Sequence, residues 1–179
     1  MTAAIAAFMA GVATFTACDK DDDKKEDNTE KKEQQEQQEQ QEQQDAIPQG
    51  YVDLGLESGT LWKDQNEEEL YSYDDAVSTF GDKLPTREQL EELKNSCEWE
   101  WTGSGYKVTG LNGNSITLPA AGFRTCDGGT NGVGSRGRYW SSAPGGSGEA
   151  WYLLFNSNSV DMSSYSRCYG YSVRLVYHE

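Results

Sequence analysis

Residues suited to catalysis are scarce in this sequence of 179 residues. Its one histidine is His178, so neither a Ser-His-Asp arrangement nor a histidine-built metal site is expected. Glu98 and Glu100 alternate with tryptophans, and although paired carboxylates can transfer protons, this alternation is typical of a strand with one solvated face. The sequence therefore predicts a protein that is not an enzyme and that uses no cofactor.

Two further motifs contain residue types that can bind a phosphate or a metal, but they lack the following helix or the spacing that such sites require. Gly132–Gly137 matches the GxGxxG pattern of phosphate loops, yet the residues after it have the composition of a strand rather than a helix. Cys97, Cys126 and Cys168 lack the CxxC spacing of zinc sites, so no metal is predicted. In an exported protein two cysteines could pair, with Cys126–Cys168 weakly favoured and the third then a buried free thiol.

Residues 1–18 have the pattern of a lipoprotein signal segment. Thr2–Ala17 carries no charge and is shorter than the roughly 20 residues that span a bilayer, but it suits the apolar part of a secretory signal. It ends in Phe15-Thr16-Ala17-Cys18, which resembles the lipobox of bacterial lipoproteins, and the following Asp19–Asp23 resembles the export signal of Bacteroidota surface lipoproteins. The resemblance implies lipidation of Cys18 and an outer-membrane location facing the cell exterior. The alternatives are a buried or disulfide-bonded Cys18 and a merely solvated charged run.

Residues 19–45 form a polar linker. Glu33–Gln44 repeats Glu-Gln-Gln four times, without apolar residues to bury and without the apolar a and d positions of a coiled coil. We therefore expect a disordered tether between the membrane anchor and a single domain formed by residues 46–179.

The charge of the chain is unevenly distributed. Its formal net charge of -15 is opposite in sign to that needed for binding nucleic-acid phosphates, so no nucleic-acid partner is predicted. Asp19–Asp45 carries -7 and Ala46–Pro119 carries -9, whereas Ala120–Glu179 carries +1. Because the last third is nearly neutral, something other than solubility determines its composition.

The domain has the element order of an α+β protein, with two helices followed by strands. The helices are expected to begin at Ser72 and Thr86, because each starts a capping-box pattern. The first helix should end at Gly81, and the second should bury Leu90 and Leu93. The expected extended segments are Tyr51–Trp62, Tyr106–Thr109, Ser115–Leu118, Arg138–Ser142, Ala150–Phe155, Ser159–Met162 and Tyr171–Tyr177.

Five segments in a fixed order carry a family resemblance. Leu54–Trp62, Leu84–Gln89, Tyr106–Phe123, Tyr139–Ser142 and Tyr171–Val176 resemble the major-paralogous-domain group of bacterial surface lipoproteins, first named from Fibrobacter. That group is similar in turn to the variable proteins that diversity-generating retroelements alter. The resemblance implies a C-type-lectin-like fold with two helices and a small twisted antiparallel sheet, and no enzymatic role. The calcium motifs Glu-Pro-Asn and Trp-Asn-Asp are absent, so calcium-dependent sugar binding is not expected.

The last third also has the composition of a binding surface. On the expected strand Ala150–Phe155, alternation assigns Trp151, Leu153 and Phe155 to the core and Tyr152 to solvent. The surrounding Tyr, Ser, Gly and Asn residues are those of antibody loops, in which Tyr supplies rigid contact area and the others supply adaptable hydrogen bonds. The predicted ligand-binding residues are Ser147, Gly148, Tyr152, Leu154, Ser157, Asn158, Asp161, Ser163, Ser164, Tyr165, Cys168, Tyr169 and Tyr171.

The residue types at these positions fit retroelement diversification. In the resembled family, changed Asn codons can yield Ser, Tyr, Gly, Asp, Cys or Leu, but never Lys, Gln, Glu, Met or Trp. Every predicted binding residue obeys this restriction, so residues 139–176 are predicted to be a variable region with Glu149, Trp151 and Met162 as framework. The expected ligand is a protein or glycan on another cell or phage. The alternative is an undiversified structural or fimbria-associated surface lipoprotein with no dedicated ligand pocket.

Overall fold

The computed structural model of the chain describes residues 47–178. The predicted signal segment, Cys18 and the linker of residues 19–45 lie outside the described residues. Within residues 47–178 helices and strands are both present, and the strands form antiparallel sheets, which confirms the α+β class. The elements are β1 (Tyr51–Asp53), β2 (Leu61–Lys63), α1 (Tyr73–Phe80), a 3₁₀ helix (Gly81–Lys83), α2 (Arg87–Ser96), β3 (Glu98–Trp101), β4 (Gly105–Thr109), β5 (Ser115–Pro119), β6 (Phe123–Arg124), β7 (Thr130–Asn131), β8 (Gly137–Pro144), β9 (Glu149–Asn156), β10 (Ser159–Ser166) and β11 (Val176–Tyr177).

Both helices begin where the capping patterns predict. The Ser72 side chain accepts a hydrogen bond from the Asp75 N–H (3.2 Å) at the start of α1. Thr86 and Gln89 make both hydrogen bonds of a capping box at the start of α2. Helix α1 ends at Gly81, whose φ of 54° is a conformation that favours glycine.

The strands form four small sheets in the described part of the chain, with the orders β1-β2-β11, β3-β4-β5, β6-β7 and β8-β9-β10. Strand β11 pairs with β2, so the end of the domain returns to its beginning. The predicted hairpin is confirmed as β4 and β5. Of the expected strand Tyr171–Tyr177 only the end is regular strand, because Tyr171 and Ser172 make isolated bridges instead.

The core consists of two clusters that share strand β9. Leu153 and Phe155 belong to the first cluster, together with Leu90 and Leu93 of α2. Tyr152 belongs to the second cluster, to which α1 also contributes. Since successive residues of a strand point to opposite faces, both faces of the sheet are covered at β9.

This two-sided core corrects the expected exposure of β9. Tyr152 was predicted to face solvent but is 4% exposed, and Leu154 is half-buried. Trp151 was predicted to lie in the core but is half-buried, and the Arg87 guanidinium carbon lies 3.6 Å from its ring centroid. The reason is that α1 and Tyr171, whose ring centroid is 4.7 Å from that of Tyr152, cover the face that was assigned to solvent.

The glycine that ends the GxGxxG pattern is explained by packing. A Cβ at Gly137 would collide with the ring of Phe155, its partner in the β8–β9 register. Gly132–Gly137 leads into strand β8 rather than into a helix. The pattern therefore lacks the helix N-terminus that binds phosphate in true phosphate loops.

Candidate functional site

Several predicted binding residues come together on one face of the β8-β9-β10 sheet, near β10. In the antiparallel register Asp161 lies opposite Leu154 and Ser163 lies opposite Tyr152, so these side chains share a face. Tyr169 follows β10, and its ring centroid lies 5.0 Å from that of Tyr165. We name this surface the Tyr165 face, and its members are Arg138, Leu154, Asp161, Ser163, Tyr165 and Tyr169.

Tyr165 and Tyr169 are the aromatic anchors of this face. Tyr165 is 46% exposed, Tyr169 is half-buried, and the two rings meet edge to face. The neighbouring Tyr165 hydroxyl raises the pKa of the Tyr169 phenol. Tyr169 is therefore neutral at physiological pH and offers its hydroxyl as a hydrogen-bonding group.

An unbroken series of aromatic contacts connects this pair to the core. The Tyr169 and Tyr171 ring centroids are 6.2 Å apart, and Tyr171 stacks on Trp140 with the centroids 4.1 Å apart. Tyr171 was predicted to contact ligand, but it is fully buried, and burial raises the pKa of its phenol. Like Tyr152, it supports the Tyr165 face from below.

Arg138 belongs to the Tyr165 face although it was not among the predicted site residues. Its Nη1 donates a hydrogen bond to the Tyr171 hydroxyl (3.0 Å), and its guanidinium carbon lies 3.7 Å from the Phe123 ring centroid. The guanidinium is held in place by stacking and hydrogen bonding, and no carboxylate of residues 47–178 forms an ion pair with it. Strand alternation was the available signal, because Arg138 lies opposite Leu154 in the β8–β9 register.

A disulfide bond fixes the segment that carries Tyr169. Cys126 and Cys168 are bonded, with a Cα–Cα distance of 5.1 Å, which confirms the weakly favoured pairing. Cys168 was predicted to contact ligand, but its sulfur is committed to this bond. Cys97 is the free cysteine of residues 47–178 and is half-buried rather than fully buried. Burial, with a smaller contribution from the Glu92 carboxylate, raises the pKa of its thiol to about 11.

Removing the disulfide by Cys126→Ser and Cys168→Ser together should lower the free energy of unfolding by about 2–4 kcal/mol. The bond closes a loop between residues 42 apart in the sequence, so it restricts the unfolded chain considerably. The measurement is urea unfolding of the oxidised protein and the double variant. As a control, Cys97→Ser should change stability far less, and equal losses in the two variants would contradict this account.

The remaining predicted site residues do not join the Tyr165 face. Ser147 and Gly148 lie in the loop before β9, and Ser157 and Asn158 lie in the turn after it. These two loops are separated by the length of β9, which is roughly 24 Å at the usual strand rise. Ser164 points to the other face of β10, where its hydroxyl donates a hydrogen bond (2.6 Å) to the carboxylate of the first residue of β9. Only a partner of macromolecular size could touch both loops and the Tyr165 face.

A concave region with a volume of about 530 Å³ lies beside the loop that follows β2. Arg174 in its floor is 1% exposed, and its guanidinium donates to the Asn66 side-chain oxygen (2.9 Å), the Lys63 carbonyl (2.7 Å) and the Thr117 carbonyl (2.5 Å). The Asn66 amide donates in turn to the Tyr139 hydroxyl (3.1 Å). Each N–H···O bond of this network joins separate segments of the chain, so the buried arginine holds the fold together.

The described residues contain neither a metal-binding cluster nor a helix that could span a membrane. Within residues 47–178, three or more His, Cys, Asp or Glu side chains nowhere converge as a metal-binding group. Neither of the helices in that part of the chain has the length and hydropathy to cross a bilayer.

The comparison with protein families assigns the chain to a family. The family described as Domain of unknown function (DUF8237) matches residues 85–176, which is half of the chain. The chain belongs to the DUF8237 family. The matched DUF8237 segment contains α2, the whole β8-β9-β10 sheet and every member of the Tyr165 face. Neither the curated proteins nor the solved structures gave a significant match.

Proposed function

We propose that this DUF8237 protein is a surface-displayed lipoprotein that binds a ligand through the Tyr165 face. The ligand is a protein or glycan on another cell or phage. The observation that carries the proposal is the exposed pair Tyr165 and Tyr169, held edge to face and supported by rings that reach the core. No catalytic step is part of this function.

The chemistry of the Tyr165 face suits recognition. Tyrosine offers a large contact area with few rotatable bonds, and buried aromatic anchors carry most of the energy of an interface. Asp161 and Ser163 lie on the same face of β10 as Tyr165 and supply polar groups that can adapt to a ligand. Since the disulfide and the rings beneath fix the tyrosines before binding, little conformational entropy is lost on association.

The finer fold assignment is also part of the proposal. Two helices and several small antiparallel sheets, with the last strand paired beside the first two, support a C-type-lectin-like fold. In the resembled retroelement-diversified proteins the variable residues lie on this fold. Asp161, Ser163, Tyr165 and Tyr169 are of types that altered Asn codons yield, so we assign variation to them. Tyr152 and Tyr171 are core residues and are assigned to the constant framework.

The Tyr165 face is tested by removing its two anchors. Tyr165→Ala combined with Tyr169→Ala should weaken binding to any ligand found on a glycan array or a display of bacterial and phage surface proteins by about 30-fold or more, because one hot spot contributes about 2 kcal/mol. The measurement is the Kd of purified wild type and variant, with thermal unfolding as a check on folding.

The chain offers a matched control for this experiment. Tyr51 and Tyr177 form another partly exposed tyrosine pair, with ring centroids 6.0 Å apart, on the β1-β2-β11 sheet. Tyr51→Ala combined with Tyr177→Ala should leave the Kd unchanged. If this control weakens binding as much as the test variant does, the ligand does not bind at the Tyr165 face.

The membrane anchor is tested separately. The lipobox-like run before Cys18 predicts that cells fed an alkyne-labelled fatty acid will label the wild-type chain and that Cys18→Ala will be unlabelled and released from the membrane fraction. Cys97→Ser is the control and should remain labelled. Equal membrane association of Cys18→Ala and wild type would remove the lipoprotein part of the proposal.

A further inference from the structure

Strand β10 has an open outer edge. It is eight residues long, and in the described part of the chain its one neighbouring strand is β9, with all eight residues in continuous register. Within residues 47–178, the Tyr169 N–H donates to the Ser166 carbonyl (3.3 Å) at the end of the strand, and the other outward main-chain groups of β10 have no partner. Alternate residues of an edge strand turn these groups outward, so Val160, Met162 and Ser164 offer both groups to a partner.

The opposite edge of the same sheet is closed. The Trp140 N–H donates to the Ser172 carbonyl (3.1 Å), and the Ser172 N–H donates to the Arg138 carbonyl (2.9 Å). Further along β8, the Ser142 N–H donates to the Pro85 carbonyl (2.8 Å). Strand β8 therefore has its outer groups satisfied by the chain itself, in contrast to β10.

Other exposed edges have the features that usually prevent strand pairing. Strand β1 has three residues and β11 has two. Strand β3 is four residues long and exposes Glu98 and Glu100, and β5 ends at Pro119. Strand β10 is the longest of these edges and contains neither lysine nor proline nor a bulge.

The side chains of β10 disfavour pairing with a second copy of itself. Val160 and Met162 are partly buried against the first core cluster, and Asp161 points to the other face. In an antiparallel pair of two β10 strands, the register that joins Val160 to Met162 on both sides also places Asp161 directly opposite Asp161. Like charges directly opposite each other destabilise a sheet, so the occupant of this edge should be a different sequence.

We infer that the outer edge of β10 binds an extended segment of a partner protein by strand addition. This inference rests on the proposed function, because Asp161, Ser163 and Tyr165 of the Tyr165 face lie on the same strand, and it selects a protein ligand rather than a glycan. Main-chain hydrogen bonds to the open edge supply affinity, and alternate side chains supply specificity.

The residues of β10 define the chemistry of the partner segment. The partner residue opposite Asp161 is a lysine or arginine, because opposite charges directly across a strand pair stabilise it. The two partner residues that flank this lysine or arginine are apolar, because they pair with Val160 and Met162. Opposite Tyr165 an aromatic residue fits best. In antiparallel order the segment is therefore of the type Tyr-Thr-Thr-Val-Lys-Val.

The probe is a cyclic β-hairpin peptide that presents Tyr-Thr-Thr-Val-Lys-Val on its free edge, labelled with fluorescein and added to the full chain. Anisotropy should show binding about tenfold tighter than that of the same hairpin with Glu in place of Lys. Asp161→Lys should reverse this preference. Glu100→Lys is the matched control, an exposed acid of another strand, and should keep it.

Two further measurements separate main-chain pairing from side-chain contact. N-methylation of the hairpin amides that point toward β10 should abolish binding, and the unmethylated hairpin should slow hydrogen exchange of the β10 amides. Equal binding of the Lys and Glu hairpins, or full binding of the methylated hairpin, would overturn the inference. Concentration-dependent dimerisation of the full chain that slows hydrogen exchange of the β10 amides would show a second copy as the occupant instead.

Failure of this inference differs from failure of the proposed function. If a screened ligand requires Tyr165 and Tyr169 but leaves exchange of the β10 amides unchanged, the binding face stands and strand addition is wrong. If Tyr165→Ala combined with Tyr169→Ala keeps full affinity for every screened ligand, the proposed function is wrong whatever the hairpin does.

Discussion

Replacing Arg174 with methionine should lower the free energy of unfolding by about 3–5 kcal/mol. The guanidinium is buried, and its three hydrogen bonds satisfy two main-chain carbonyls and the Asn66 side chain. Methionine fills similar space but leaves all three acceptors without their donor, and an acceptor left unsatisfied in a buried position costs about 1–3 kcal/mol. Burial lowers the pKa of Arg174, because a buried charge is poorly solvated. Removing this charge therefore offsets part of the loss in stability.

Two further variants sharpen this measurement. Arg174→Lys should rescue little stability, because a single ammonium cannot reproduce the planar geometry that reaches three acceptors. Arg136 is exposed, and Arg136→Met should change the free energy of unfolding by no more than about 0.5 kcal/mol. A loss at Arg174 no larger than that at Arg136 in urea unfolding would show that the network contributes little.

The parts of this fold that could be predicted from sequence depend on local contacts. The side chains of the N-caps Ser72 and Thr86 each accept a hydrogen bond from the main-chain N–H three residues later, within the first turn of the helix. The hairpin of β4 and β5 pairs residues on either side of a short turn. A local pattern suffices for such elements because the residues that decide them are neighbours in the chain.

The residues that were wrongly assigned depend on distant segments. Strand β9 is apolar on both faces, so alternation alone cannot say which side is solvated. Tyr171, far along the chain, packs on Tyr152, and Arg87 of α2 packs on Trp151. The candidate site also depends on distant segments. Arg138 is positioned by Phe123 and Tyr171, and a local sequence pattern does not predict these contacts.

Strand β9 gives the second large prediction. Tyr152→Ala and Leu153→Ala should each lower the free energy of unfolding by about 2–5 kcal/mol, although their side chains point to opposite faces. Both side chains are almost completely buried, Tyr152 in the second core cluster and Leu153 in the first. Truncation of either one leaves a cavity that the packed neighbours cannot fill. Urea unfolding of the two single variants measures the losses.

Two neighbouring positions supply the controls for strand β9. Trp151→Ala should cost about half as much, because the ring is partly solvated and the flexible Arg87 side chain that covers it can rearrange. Tyr165→Ala should cost less than about 1 kcal/mol, since that ring is 46% exposed. If Tyr152→Ala were as mild as Tyr165→Ala while Trp151→Ala were severe, the face of β9 that carries Trp151 would be the buried one. Tyr152 would then return to the binding surface, and its assignment to the constant framework would be wrong.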